Sequence, residues 1–150
     1  MAIAMWQRGR RLFTTAACMM ILMAAVHTAG NMAARPDNDA ERRVFAEMNS
    51  YHVPLGMGMT PSVQDIYWTL ALTMSITFTA LGVIGLVLSS SRDVSDRVLQ
   101  RVGWVNAFWV GAFLILSWVY RVPPPLISAV LIEVFVVAAL VVGGRPERRA

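Results

Sequence analysis

Four long apolar runs dominate the sequence and constrain its fold more than any other feature. They cover about residues 12–31, 62–89, 102–120 and 124–142. An α-helix of about 20 residues crosses the hydrocarbon core of a bilayer. Hydrophobic residues make up 57% of the 150 positions and charged residues 15%, unlike a soluble globular domain. The sequence therefore predicts an all-α membrane protein, a four-transmembrane-helix antiparallel bundle that forms a single domain over residues 1–150.

The distribution of arginine predicts how the spans are oriented. Every basic residue except the histidines is arginine. If the four runs each cross the membrane, nine arginines fall on the side that holds both termini: Arg8, Arg10, Arg11, Arg92, Arg97, Arg101, Arg145, Arg148 and Arg149. The other side carries Arg35, Arg42, Arg43 and Arg121. Because arginine-rich segments stay in the cytoplasm, both termini are predicted to be cytoplasmic, in a bacterial inner membrane. The arginines lie in short clusters that flank apolar runs, and this arrangement also argues against a nucleic-acid partner.

The first run has a competing interpretation as a cleaved signal peptide. Basic residues, an apolar stretch and then small residues are typical of such a peptide. Cleavage before Gly30 would place His27 at the minus-three position, where small residues are preferred. We therefore favour a spanning helix over a removed leader.

The extracytoplasmic loop, at about residues 32–61, is predicted to contain a short amphipathic helix. Asp37 or Asp39 would cap this helix, which would end near Ser50. One face would carry Val44, Phe45, Met48 and Tyr51. Such a helix either rests on the bilayer interface or acts as a gate. Pro54, Gly56, Gly58 and Pro61 break regular structure, and Thr60-Pro61 or Ser62-x-x-Asp65 would cap the second span.

Polar and small residues at helical spacing indicate how the spans pack. Asp65, Thr69, Thr73 and Thr77 recur every four residues, and we expect the threonine hydroxyls to bond to carbonyls of their own helix. A face of small residues for helix packing is formed by Gly103, Ala107 and Gly111. We expect the nearby Asn106 side chain to form a hydrogen bond to another helix.

The candidate ligand-binding residues are the titratable groups within or beside the spans, namely His27, Asp65, Glu133 and Arg121. A neighbouring carboxylate can move the pKa of the His27 imidazole into the physiological range. A structural hydrogen bond to a neighbour on the same helix explains the presence of this histidine equally well. Glu133 lies mid-span, about 18 Å of helical rise from Arg121. We therefore expect hydroxyls such as Thr73, Thr77 or Ser117 around Glu133, and a neutral carboxyl group.

No motif indicates catalysis. The sequence has no glycine-rich phosphate loop, no paired histidine or cysteine ligands and no nucleophile elbow. Catalytic residues, a metal site and a cofactor are therefore not predicted, and an enzyme is the least favoured class.

A resemblance adds to this interpretation. With His27 at the end of the first span, the stretch 48–58, and Ser62-x-x-Asp65-x-Tyr67 at the start of the second, the chain resembles a widespread family of four-helix bacterial inner-membrane proteins that has no established activity. Gln64 and Ile66 stand where aromatic residues are expected in that family. The resemblance implies the four-helix architecture and singles out His27, Ser62, Asp65 and Tyr67, and it adds Tyr67 to the candidate ligand-binding residues.

Two classes of function remain open on the sequence. The first is a small binding or accessory protein that packs in the lipid bilayer against itself or a larger membrane complex. The second is a binder or minimal transporter of a small hydrophobic ligand, such as a lipid or quinone, with proton-linked groups at His27, Asp65 and Glu133. The absence of helix-breaking residues within the spans and of similar halves favours the first class.

Overall fold

The computed structural model describes the fold of residues 2–91 and 93–143, and within them it is all-α, as predicted. The helices are α1 (Ala2–Ala33), α2 (Asp39–Ser50), α3 (Val63–Ser90), α4 (Asp96–Val119) and α5 (Pro123–Gly143). Four segments are long and apolar enough to cross a membrane: Gln7–Ala33, Val63–Ser90, Asp96–Val119 and Pro125–Gly143. The chain is therefore a multi-pass membrane protein with a short amphipathic helix, α2, between its first two spans. Arg92, Arg145, Arg148 and Arg149, which enter the orientation argument, lie outside the described residues.

Helices α1 and α4 begin well before the apolar runs that predicted them. Helix α4 starts at Asp96 rather than near residue 102 and so includes Arg97 and Arg101. Arginine and glutamine are good helix formers, so hydropathy marks the apolar part of a helix and not its full length. The link between α3 and α4 is correspondingly shorter than the sequence indicated.

Both helices of the loop region begin with a reciprocal cap. The backbone N–H of Asp65 donates to Ser62 Oγ at 3.1 Å, and Asp65 Oδ2 accepts from the backbone N–H of Ser62 at 3.0 Å. This is the capping box that the sequence predicted for the second span. Helix α2 is capped by Asn38, whose side chain accepts from Glu41 N–H. The prediction of Asp37 or Asp39 is wrong there, because Asn38 is the N-cap residue. The Glu41 carboxylate accepts from the backbone N–H of Asp37 and from Asn38 Nδ2, and so holds the capping residue in place.

A small hairpin lies between α2 and α3, at residues 51–63. Val53 N–H donates to the Pro61 carbonyl and Val63 N–H to that of Tyr51. In this register Pro54 occupies a position where no N–H is needed, whereas Pro61 lies opposite Val53 and contributes only its carbonyl oxygen to the pair. The N–H of Met59 donates to the Gly56 carbonyl across Met57 and Gly58, which have φ of 50° and 77°. Positive φ at both central positions defines a type I′ turn, which suits the twist of paired strands. The region that the sequence predicted only to be irregular is therefore ordered.

The connection from α4 to α5 is equally specific. Val122 N–H donates to the Ser117 carbonyl and Arg121 N–H to that of Trp118, with Arg121 at a φ of 55°. This pattern is a Schellman motif, which normally has glycine at the position that Arg121 occupies. Helix α5 then begins at Pro123, as suits the first turn of a helix.

The chain divides into two compact units. The bundle unit comprises Met1–Met23 and Phe78–Ala150, and the loop unit comprises Ala24–Thr77. In the bundle unit the largest fully buried apolar side chains are Met20, Phe78, Val110, Ile132 and Val136. Helices α1 and α3 approach closely there, since a Cβ atom at Gly82 would lie 2.7 Å from the Ala17 carbonyl oxygen. In the loop unit α2 has no buried residue.

Candidate functional sites

His27, Asn31 and Tyr67 form a polar chain in the loop unit. The Tyr67 hydroxyl donates to Asn31 Oδ1 at 2.9 Å, and Asn31 Nδ2 donates to His27 Nε2 at 2.9 Å. The half-buried imidazole is thus tied to a neighbour one turn along its own helix, and through it to α3. This is the structural alternative that the sequence left open for His27.

Asn31 is the member of this chain that sequence reasoning missed. No role is assigned to it on the sequence alone. The available signal was a pair of polar residues four apart at the end of an apolar run, a spacing that brings side chains together. The resemblance had already singled out Tyr67, and the structure supplies its partner.

The resolved hydrogen bonds of the Asp65 carboxylate are all made within the cap of its own helix. Besides the backbone bond, Asp65 Oδ2 accepts from the Ser62 hydroxyl at 2.8 Å, and Ser62 is 2% exposed. Within the described residues no hydrogen bond joins Asp65 to His27. A carboxylate held this way orders the start of α3, which is a sufficient reason for its presence.

The threonine stripe of α3 behaves as expected where its bonds are resolved. Thr69 Oγ1 donates to the Asp65 carbonyl and Thr77 Oγ1 to that of Thr73, both at 2.8 Å. One further hydroxyl pair crosses between helices of the loop unit, with Thr28 Oγ1 donating to Ser75 Oγ at 2.8 Å. These hydroxyls therefore bond to one another and to carbonyls of their own helices.

Glu133 and Asn106, in the bundle unit, each have one buried oxygen atom without a resolved partner. Glu133 Oε2 and Asn106 Oδ1 are buried and accept no hydrogen bond from any residue that the structure describes. Ser117, which the sequence offered as a neighbour of Glu133, therefore does not donate to that oxygen, and the helix-to-helix bond expected of Asn106 is not made through Oδ1. A Cβ atom at Gly111 would lie 3.8 Å from Glu133 Oε1, which places the carboxyl group against the α4 backbone.

The small-residue face of α4 is used inside the bundle unit. Gly103 and Ala107 are buried, and a Cβ atom at Gly103 would lie 2.8 Å from Leu140 Cδ2 of α5. With Gly111 against Glu133, all three small residues lie on the α4 surface that α5 covers or adjoins. Arg121, at the end of the same helix, is exposed and makes its resolved bonds through its backbone.

Arg10 holds a position that the sequence did not reveal. Its guanidinium donates to the carbonyl oxygens of Ser89 and Ser91 through Nη1 and of Val94 through Nη2, at 2.6 to 3.2 Å. It thereby satisfies carbonyls that the end of α3 leaves open. No local pattern could have indicated this role, since about 80 residues separate Arg10 from its partners.

The predicted site residues are thus divided between the units. His27, Asp65 and Tyr67 lie in the loop unit, whereas Glu133, Arg121 and Asn106 lie in the bundle unit. Within the part of the chain that the structure describes, no group of three or more histidine, cysteine or acidic side chains is placed to hold a metal ion. No family model, curated protein or solved structure matches this chain.

Proposed function

We propose that the chain is a small binding or accessory protein of a bacterial inner membrane, with both termini in the cytoplasm and the loop unit on the extracytoplasmic side. The arginine distribution supports this orientation. The resemblance to four-helix bacterial inner-membrane proteins agrees with it and stays a prediction. In this role the loop unit is the part that recognises a partner.

The observation that carries the proposal is the exposed apolar surface of the loop unit. Met57, at the tip of the hairpin, is 93% exposed, and Leu55 and Met59 on either side are at least half exposed. The hairpin is nevertheless ordered by its own hydrogen bonds. Apolar side chains held out by a defined backbone are a feature of binding surfaces, and methionine adapts to partners of irregular shape.

The polar groups of the loop unit support a binding role more than a chemical one. His27 and Tyr67 are joined through Asn31, and Asp65 is joined to Ser62. Hydrogen bonds of this kind fix the end of α1 and the start of α3, and the amphipathic helix and the hairpin lie between these two points in the chain. The cluster therefore acts as a support for the exposed surface.

Site-specific photo-crosslinking in intact cells tests this proposal. A photoreactive residue in place of Met57 should give a protein adduct of one discrete mass, whereas the same residue in place of Asn49, also exposed but on α2, should give none. Native mass spectrometry after gentle extraction should then show the same partner bound to the unmodified chain. Adducts to lipid alone at position 57 would instead mean that the hairpin rests on the bilayer.

The orientation has a separate test. In a variant without Cys18, a cysteine at Asp39 should be labelled by an impermeant thiol reagent from outside the cell, and a cysteine at Ser95 or Glu147 only after the membrane is opened. Labelling at position 147 from outside would contradict the four-span topology. Isolation of a mature chain that begins beyond Ala29 would support the signal-peptide alternative.

The second candidate function is a binder or minimal transporter of a small hydrophobic molecule, such as a lipid or quinone, that uses His27, Asp65 and Glu133. One observation favours it, the buried Oε2 of Glu133 without a resolved partner. A buried carboxyl group in a spanning helix is costly and often functional. Glu133→Gln should then abolish retention of the small molecule in native mass spectra, while a partner adduct at position 57 persists.

A further inference from the structure

The turn between α4 and α5, in the bundle unit, is held at a membrane surface by the two spans that it joins. One span ends at Val119 and the next begins at Pro125, so residues 120–124 alone connect them. Helix α4 has 24 residues and is about 36 Å long, against about 30 Å for the hydrocarbon core and about 40–45 Å with the headgroups. Trp118 and Tyr120 are 72% and 74% exposed, and aromatic rings of this kind gather at the headgroup level. The turn therefore lies among lipid headgroups.

Arg121 occupies this turn in a conformation that favours another residue. It has a φ of 55°, at the position of the Schellman motif that normally holds glycine. A left-handed backbone costs free energy in any residue with a Cβ atom. Arg121 is also the only charged residue between Arg101 and Glu133. A guanidinium at a glycine position indicates that the side chain contributes something that glycine could not.

The Arg121 side chain makes no such contribution to the protein interior. It is exposed, and within the described residues its guanidinium forms no ion pair and donates no hydrogen bond. Arg10 of the same unit, in contrast, donates to three backbone carbonyls. A cation near the C-terminus of a helix also interacts favourably with the helix dipole, which is the structural explanation for Arg121. That interaction requires no ligand, so an experiment can separate it from binding.

The backbone of the turn has no N–H group left for a ligand. Tyr120, Arg121 and Val122 donate theirs to carbonyls in the last turns of α4, and Leu126 donates to the Val122 carbonyl. Positions 123–125 are proline and have no N–H. The N-terminus of α5 therefore lacks the free donors with which helix ends usually bind anions. An anion at this turn must be bound by a side chain, and Arg121 carries the only positive charge there.

We propose that Arg121 binds the phosphate group of a membrane phospholipid and so fixes the depth of the α4–α5 turn in the bilayer. Phosphate is the anion that a phospholipid places at the headgroup level, and a guanidinium can donate two parallel hydrogen bonds to it. The prolines and the hydrogen bonds of the turn hold the Arg121 backbone in place, so little backbone entropy is lost on binding. In the orientation proposed above, this phosphate belongs to the outer leaflet. The site is in the bundle unit and does not depend on what the loop unit recognises.

Thermal unfolding of the purified protein in a maltoside detergent tests this site, with two added lipids that have the same acyl chains. Phosphatidylcholine and digalactosyldiacylglycerol both have no net charge, but only the first has a phosphate. Phosphatidylcholine should raise the melting temperature of the unmodified chain more than the galactolipid does. Arg121→Gly should abolish this difference, and Arg121→Lys, which keeps a cation, should retain part of it. The matched control Arg43→Gln, which removes an exposed arginine of the loop unit, should retain all of it.

Melting in the detergent without lipid separates phosphate binding from a structural role of the guanidinium. Because glycine suits the left-handed position, Arg121→Gly should melt there at the same temperature as the unmodified chain or higher. A lower melting temperature would mean that Arg121 stabilises the fold without a lipid, as through the helix dipole, and would overturn the proposal. It would also be overturned by equal stabilisation of the unmodified chain by both lipids, by a difference that survives in Arg121→Gly, or by an equal loss in Arg43→Gln.

Discussion

The bundle unit and the loop unit of this protein are ordered by different means. In the bundle unit, glycine and alanine let helices approach so closely that an added Cβ at Gly82 or Gly103 would overlap a neighbour. In the loop unit, local hydrogen bonds fix each segment, and no residue of α2 is buried. A Cβ at Gly30, in the loop unit, would meet nothing within 4 Å.

This difference predicts where in the molecule a substitution should change stability. Helices in lipid gain no hydrophobic free energy from association, so close packing and interhelical hydrogen bonds hold the bundle unit together. A change there alters contacts between helices distant in sequence. In the loop unit most of the resolved bonds span few residues, so a change should remain local unless it reaches the start of α3.

The largest expected effect is that of Gly82→Ala. The new methyl group would lie 2.6 Å from Ile21 Cγ1 and 2.7 Å from the backbone oxygen of Ala17, so α1 and α3 must separate. Overpacking of this kind costs about 1–3 kcal/mol. The matched control Gly30→Ala has open space and should be neutral or gain up to about 1 kcal/mol from helix propensity. Unfolding of both variants in mixed micelles measures the difference, and equal stability would contradict the close approach.

A comparable loss is expected for Arg10→Gln. The variant removes the charged donor to three carbonyl oxygens, and hydrogen bonds of charged groups contribute about 1.5–3 kcal/mol. Arg11→Gln, at an exposed neighbour, should change stability by less than about 0.5 kcal/mol. The comparison belongs in uncharged detergent, so that lipid binding does not contribute. Similar losses in the two variants would mean that charge near the end of the span matters more than the bonds of Arg10.

The sequence predicted the architecture because its strongest signals are local. Apolar runs, the Ser62-x-x-Asp65 box and the back-bonded threonines each depend on residues within a few turns of one another, and each was predicted correctly. The hairpin was missed because Pro54 and Pro61 ordinarily argue against paired strands, and only the pairing register shows that Pro54 needs no N–H and that Pro61 takes part through its carbonyl oxygen. Its turn signal, Met57-Gly58, is weaker than Asn-Gly.

The candidate site was harder to predict, because its decisive contacts join residues far apart. Tyr67 meets Asn31 across 36 positions and Arg10 meets Val94 across 84. No periodicity encodes such pairs. The sequence did indicate that His27, Asp65 and Glu133 are candidate functional groups of the spans. Their functional roles stay predictions. It did not show that two of them already have partners within the loop unit.

The N-terminal caps of α2 and α3 offer a smaller and more selective test. Ser62→Ala should cost about 1 kcal/mol of global stability, because it frees the start of a spanning helix. Asn38→Ala removes the equivalent cap from α2, but this helix buries nothing and should only fray. Hydrogen exchange should therefore increase along α2 in the second variant while the melting temperature stays unchanged. A lower melting temperature for Asn38→Ala would mean that α2 packs more firmly than its exposure indicates.

The smallest expected effect is that of Glu133→Gln, although it changes the only carboxyl group of α5. Glu133 is half-buried, its Oε2 accepts no bond from the described residues, and Gly111 lies beside it. A carboxylate without a partner is costly within a bilayer, so the hypothesis is that Glu133 is neutral, and a neutral acid differs little from an amide. The melting temperature of the variant in detergent should then match that of the unmodified chain from pH 5 to 8, and should exceed that of Ser62→Ala. If Glu133→Gln proves the more destabilised of the two, the carboxylate is ionised and paired in the folded protein. The bundle unit, rather than the polar chain of the loop unit, would then be the first place to seek a ligand.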